Sequence, residues 1–192
     1  MNHKQLVVFD FDYTLAKTAE CIWVWSPRGT REYEGKKYIP VHPSLLSKVK
    51  LGDDESISDD SFKEFYSLNI NKAKPIIPTI NLLKYYLSDC YEYKVYIVTA
   101  RPQSVEKDII SFLKTCDVNT TNINYTGLTN SDPKKKIEYI KDIVSNNTYK
   151  KISVFEDNRY VIENIDKSVK QSIDVYHIES TGDILNINYY AK

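Results

Sequence analysis

The stretch Leu6-Val7-Val8-Phe9-Asp10-Phe11-Asp12-Tyr13-Thr14-Leu15 decides how the rest of the chain is read. An apolar run ends in two aspartates one residue apart. A short run of this kind reads as a strand buried in a parallel sheet, delivering its last side chains to the sheet's C-terminal edge. Ligands of open α/β sheets bind at that edge. Two carboxylates there are costly unless they meet a cation or share a proton. The pattern points to metal-assisted phosphoryl transfer, and the remaining chain must supply what such a site still lacks.

Working outward, Lys94-Val95-Tyr96-Ile97-Val98 reads as a second buried strand ending in Thr99-Ala100-Arg101. Pro102 then suits the start of a helix to about Cys116. Residues 123–126 form a short third strand. Asp132-Pro133 reads as an N-cap followed by a first-turn proline, opening a helix to about Val144. Ile137, Ile140 and Val144 recur along it at helical spacing. Lys151-Ile152-Ser153-Val154-Phe155 is a fourth strand ending in Glu156-Asp157-Asn158, followed by a helix to about Ser168. Residues 173–178 are a fifth strand, with a loosely packed tail. Strands alternating with helices imply right-handed βαβ units and a mostly parallel sheet. There is no internal repeat, low-complexity segment or separate linker.

The connection between the first two core strands, roughly residues 13–77, is anomalously long. A loop of that length in a compact domain is usually functional. Residues 20–42 read as a β-hairpin turning at Ser26-Pro27-Arg28-Gly29. Asp53-Asp54-Glu55 and Asp59-Asp60 read as solvated acidic loop, with Asp59 or Asp60 capping a helix from Ser61, in preference to a second metal site. Pro78 opens the helix that leads back to the sheet, with Ile80, Leu83 and Leu87 on its apolar face. The expected organisation is one domain over 1–192 with a small cap or extended flap over 16–77.

Composition bounds the function. The 192 residues suit one domain with an insertion, and 42% hydrophobic content supports a core. Twenty-six basic residues balance 26 acidic ones, so a generally basic nucleic-acid-binding surface is not indicated. Cys21, Cys90 and Cys116 match neither a zinc spacing nor a disulfide framework and read as reduced, mostly buried thiols. His3, His42 and His177 show no ligand spacing. No segment reaches the ~18 apolar residues of a membrane span. The N-terminus does not look like a signal peptide. An intracellular, cytoplasmic protein with no membrane partner is expected. No P-loop, GxGxxG or GxSxG pattern occurs.

Polar residues of complementary kinds thus close three strands: Asp10 with Asp12, Thr99, and Glu156 with Asp157. Lys134-Lys135-Lys136 opens a helix between the last two. A phosphate on Mg²⁺ needs this mixture: oxygen ligands for the ion, a point cation for the phosphate, and a hydroxyl at a helix N-terminus.

In these four motifs and their order the chain resembles the haloacid dehalogenase-like (HAD) superfamily of phosphatases, over about residues 6–160. The resemblance implies a Rossmannoid three-layer sandwich with a five-stranded sheet in the order 5-4-1-2-3. It implies Asp10 as the nucleophile forming an aspartyl-phosphate, and Asp12 as general acid and then base. Asp10, the main-chain carbonyl of Asp12, and Asp157 would hold Mg²⁺. Thr99, Ala100 and a lysine, Lys136 before Lys135, would hold the phosphoryl oxygens. Glu156, Thr14 and Arg101 are candidates for a supporting layer. The chain departs from the family at Tyr13, where glycine is usual, and in the Glu156-Asp157 form of the fourth motif.

The expected function is a Mg²⁺-dependent phosphomonoesterase acting on a phosphorylated small molecule or a nucleic-acid end. Trp23, Trp25, Tyr33 and Tyr38 interleave with Arg28, Arg31, Lys36 and Lys37. That pattern admits a polynucleotide 3′-end or nucleotide phosphatase, although Glu20, Glu32 and Glu34 nearly cancel the charge and period-two placement favours packing. A phospho-acceptor signalling module or a catalytically silent phosphate-binding protein is the alternative from another class. The oligomeric state is left open.

Overall fold

A computed structural model describes residues 5–129, 132–145, 149–165, 173–179 and 181–186. In chain order these form β1 (Gln5–Phe9), β2 (Ala16–Lys17), β3 (Ile22–Trp25), β4 (Arg31–Tyr33), β5 (Lys36–Val41), β6 (Lys74–Pro75), α1 (Ile77–Leu87), β7 (Tyr93–Thr99), α2 (Glu106–Thr115), β8 (Ile123–Gly127), α3 (Pro133–Ser145), β9 (Lys151–Glu156), α4 (Arg159–Ile165), β10 (Ile173–Ile178) and β11 (Ile184–Asn186). The chain divides into two compact units, Met1–Thr18 with Ile70–Lys192, and Ala19–Asn69.

The larger unit is built on a six-stranded sheet in the order β11-β10-β9-β1-β7-β8. All neighbours are parallel except β10 and β11. The sheet therefore has six strands rather than five. The sixth comes from Ile184–Asn186, in the tail read as loosely packed; three residues are too few to show a periodicity. The end of the helix expected to reach Ser168 lies outside the described residues.

Period two divides the core. Leu6 and Val8 of β1 join Ile152 and Val154 of β9, Ile173 and Val175 of β10, and Ile140, Val144, Ile162 and Ile165 from α3 and α4. On the opposite face the Phe9 and Phe155 rings stack at 4.5 Å, and Phe155 stacks on Tyr176 at 4.6 Å. Tyr86 of α1 packs against that aromatic row. Helices thus cover both faces, as strands apolar on both sides require.

The smaller unit carries a three-stranded antiparallel sheet in the order β3-β5-β4, so the expected hairpin over 20–42 gains a strand. The tight turn joins β4 to β5 through Glu34 and Gly35, both at positive φ, as a two-residue hairpin turn requires. Gly29 lies against the Tyr38 backbone, and a Cβ there would come within 2.3 Å of the Tyr38 nitrogen. The turn after Ser58 is a 3₁₀ helix over Asp59–Phe62, not a helix from Ser61 capped by an aspartate. The Ser58 N–H donates to Ser61 Oγ, and Asp60 pairs with Lys63 instead.

The smaller unit, Ala19–Asn69, lies within the expected 16–77 insertion. Ala16–Lys17 pairs antiparallel with Lys74–Pro75, so the stem belongs to the larger unit. No helix among the described residues is long and apolar enough to cross a membrane. Cys21, Cys90 and Cys116 are free and only half-buried.

Candidate active site

Register brings the site together. Phe9 pairs with Ile97 on one side and Phe155 on the other. The next residue along is Asp10, whose N–H donates to the Phe155 carbonyl at 3.0 Å. Asp10 and Glu156 therefore leave the sheet side by side, on the face covered by α3.

Asp132 sets the phase of α3: its Oδ1 accepts the Lys134 N–H at 2.9 Å. One turn in, Lys136 points at the sheet. Its Nζ donates to Asp10 Oδ1 at 2.7 Å and to Glu156 Oε2 at 3.0 Å. Lys134 and Lys135 are exposed, and Lys135 pairs with Glu138. Of the three lysines, Lys136 is the one at the carboxylates.

Asp10, Glu156 and Asp157 each place a carboxylate oxygen within 4.8 Å of the others. Three carboxyls around one lysine leave the cluster under-neutralised. Burial, with Glu156 and Asp12 adding to it, pushes Asp10 up to about 7 against the opposing pull of Lys136. Burial, then Glu156 and Asp10, raises Asp157 well above the usual carboxylate range. The two acids hold Lys136 firmly protonated in spite of its burial. This is an all-oxygen donor set that could hold a metal ion, and when all three carboxyls are ionised their charge exceeds that of Lys136. Glu156, read from sequence as a supporting residue, stands among the potential ligands. Its Oε1 also accepts the Asn158 N–H at 3.0 Å.

The Asp12 carboxylate lies outside that group. Arg101, fully buried, donates from Nε to both of its oxygens, at 3.1 and 2.9 Å, and from a terminal nitrogen to Oδ1 at 2.8 Å. Thr18 Oγ1 donates to Oδ1 at 2.7 Å. Burial alone would raise the Asp12 pKa, but the Arg101 charge and these hydrogen bonds overcome it and hold the carboxyl below its ordinary value. Arg101 thus has a definite partner, and Thr18 is a residue that the sequence reading missed. No motif marks Thr18; the only clue was its place at the mouth of the long connection.

Thr99 ends β7 and is fully buried. Its Oγ1 accepts the Arg101 N–H at 3.2 Å, and Ala100 between them is half-buried. Thr14 is buried, its carbonyl accepts from Thr79 of α1, and its own hydroxyl has no hydrogen-bond partner among the described residues. Tyr13 sits at φ +60°, the left-handed region that favours glycine. Its hydroxyl donates to the Thr18 carbonyl at 3.0 Å and its N–H to the Ala16 carbonyl at 2.7 Å, which pin the turn.

In the smaller unit, Trp23 stacks on Tyr38 at 4.6 Å and meets Trp25 edge-on. Glu64 accepts from Trp23 Nε1 and the Cys21 N–H, both at 3.0 Å. Arg28 faces Glu55 and Asp54. Glu55 in the acidic run also accepts from Ser26 and the Gly52 N–H.

Comparison of the chain with protein-family models, with curated proteins and with solved structures finds no match.

Proposed function

We propose that the protein is a Mg²⁺-dependent phosphomonoesterase of the HAD type, working through an aspartyl-phosphate on Asp10. The observation that carries the reading is the Lys136 ammonium bridging Asp10 and Glu156 beside Asp157. It pairs a buried nucleophile with the cation that a phosphate needs, at the C-terminal edge of a parallel sheet.

Asp10 and Asp157, with Glu156 beside them, would hold Mg²⁺, and the ion would offset the charge of the phosphoryl oxygens. Lys136 supplies a second positive charge to the same oxygens, and Thr99 a hydroxyl. Asp10 attacks phosphorus and the ester oxygen departs. Asp12 gives a proton to that oxygen, then takes one from the water that releases phosphate. Because Arg101 favours the carboxylate, Asp12 is ready as the base, whereas its acid role requires it first to gain a proton. Substrates with an acidic leaving oxygen, such as aryl phosphates, should react fastest.

The nucleic-acid-end alternative has less to rest on. Trp23 and Tyr38 spend ring faces on each other, and Arg28 is matched by acids. The test is phosphate release from p-nitrophenyl phosphate. We expect Mg²⁺-dependent turnover, abolished by EDTA, and at least ~10³-fold loss in Asp10→Asn. Full activity in Asp10→Asn refutes the mechanism. Lasting phosphorylation without turnover favours the signalling alternative.

A further inference from the structure

We propose that Arg101 and Thr18 are positioning residues that fix the Asp12 carboxylate so that Oδ2 is the atom receiving the proton of the hydrolytic water. This rests on the phosphatase reading above and deepens it.

Asp12 Oδ1 accepts three donors: Arg101 Nε at 3.1 Å, an Arg101 terminal nitrogen at 2.8 Å and Thr18 Oγ1 at 2.7 Å. An sp² oxygen offers two lone pairs, so Oδ1 is saturated. Oδ2 accepts only Arg101 Nε, at 2.9 Å, among the described residues. The carboxylate therefore has one engaged oxygen and one with a free lone pair, and its plane is set by a buried, planar guanidinium.

Both clamping groups are held in turn. The Thr18 carbonyl is tied by the Tyr13 hydroxyl at 3.0 Å. The Arg101 carbonyl accepts the Thr129 N–H at 3.3 Å, and Pro102 bridges to Leu128. The clamp thus joins the turn after β1 to the loop after β7 across the Asp12 side chain. The effect on the chemistry falls on the second half of the reaction. One water O–H bond breaks and its proton goes to Asp12 Oδ2. The water oxygen bonds to phosphorus as the phosphorus–Asp10 bond breaks. Asp10 recovers its carboxylate and inorganic phosphate leaves. For a substrate whose leaving oxygen needs little protonation, a misaligned Oδ2 slows this step without slowing attack by Asp10.

The readout is pre-steady-state release of p-nitrophenolate with Mg²⁺, whose leaving oxygen needs little protonation. Thr18→Val and Arg101→Lys should each give a burst of one equivalent per site, followed by steady turnover slowed by about 100-fold. Asp12→Asn should show the same burst, and Asp12→Asn with Thr18→Val should be no slower than Asp12→Asn alone. Thr18→Val keeps the side-chain shape, so it tests the clamp even if Arg101→Lys fails to fold. Loss of rate with no burst, wild-type steady turnover in Thr18→Val, or additive losses in the double variant overturn the clamp. Absence of any turnover by the wild-type protein, or unchanged turnover in Asp10→Asn, overturns the phosphatase reading and the clamp with it.

Discussion

At Asp10, burial outweighs the attraction of the neighbouring Lys136. Its carboxyl is buried beside two other acids and only one lysine, and the balance raises its pKa to about 7. A carboxyl whose folded pKa lies above its unfolded value binds more protons when folded between those two values, so stability falls as pH rises through that interval. Asp157 acts in the same direction. Asp12 acts oppositely: its contribution is present above the ordinary carboxylate range and is lost at lower pH. In EDTA the melting temperature should therefore decline between about pH 4 and pH 7. Mg²⁺ should restore it at pH 8 far more than at pH 5, because the ion requires ionised ligands. A metal-free melting temperature that rises from pH 5 to pH 8 would contradict this account of the cluster. The aspartates and Thr99 could be singled out from sequence because they stand at or just beyond the ends of legible strands, whereas the preference for Lys136 among three lysines rests on the family resemblance. Thr18 could not, because its role depends on where a loop returns.

At the scale of elements, the loop after β7 carries Arg101 and is seated by β8. The Gly127 N–H donates to Gln103 Oε1 at 2.9 Å, and the Leu128 N–H to the Thr99 carbonyl at 2.9 Å. A Cβ on Gly127 would lie 2.4 Å from the Gln103 nitrogen and 2.5 Å from the Pro102 carbonyl carbon. Backbone cannot yield as a flexible side chain can. Gly127→Ala should cost about 1–3 kcal/mol by denaturant unfolding, as overpacking does, and should slow turnover beyond the loss of folded protein. Unchanged stability would show that the loop is not seated as described. The central strands of the large sheet were legible as short apolar runs buried on both faces, and the longer helices by their 3.6-residue period. Three details were not. β11 is three residues long, the strand order within the insertion depends on β5 pairing on both sides, and Ser58 displaced the aspartates through a backbone hydrogen bond that composition does not reveal.

At the scale of the whole molecule, Ala19–Asn69 is an insertion whose stem is closed within the larger unit by the pairing of β2 with β6. Joining Thr18 to Ile70 by a short Gly-Ser link should leave a protein that melts cooperatively and is still stabilised by Mg²⁺. A comparison of p-nitrophenyl phosphate with a 3′-phosphorylated oligonucleotide, before and after excision, then reports whether the insertion selects substrate. A non-cooperative melt would mean that the larger unit needs the insertion to fold. Beneath these predictions lies the claim that Asp10 becomes phosphorylated during turnover, and borohydride trapping tests it most directly. An acyl phosphate is reduced by borohydride to an alcohol, so quenching the protein during turnover of p-nitrophenyl phosphate with Mg²⁺ should convert Asp10 to homoserine, read by peptide mass spectrometry. That product is expected at residue 10 alone, and none in EDTA. Rapid phosphate release with residue 10 still aspartate, or reduction at another carboxyl, would contradict it.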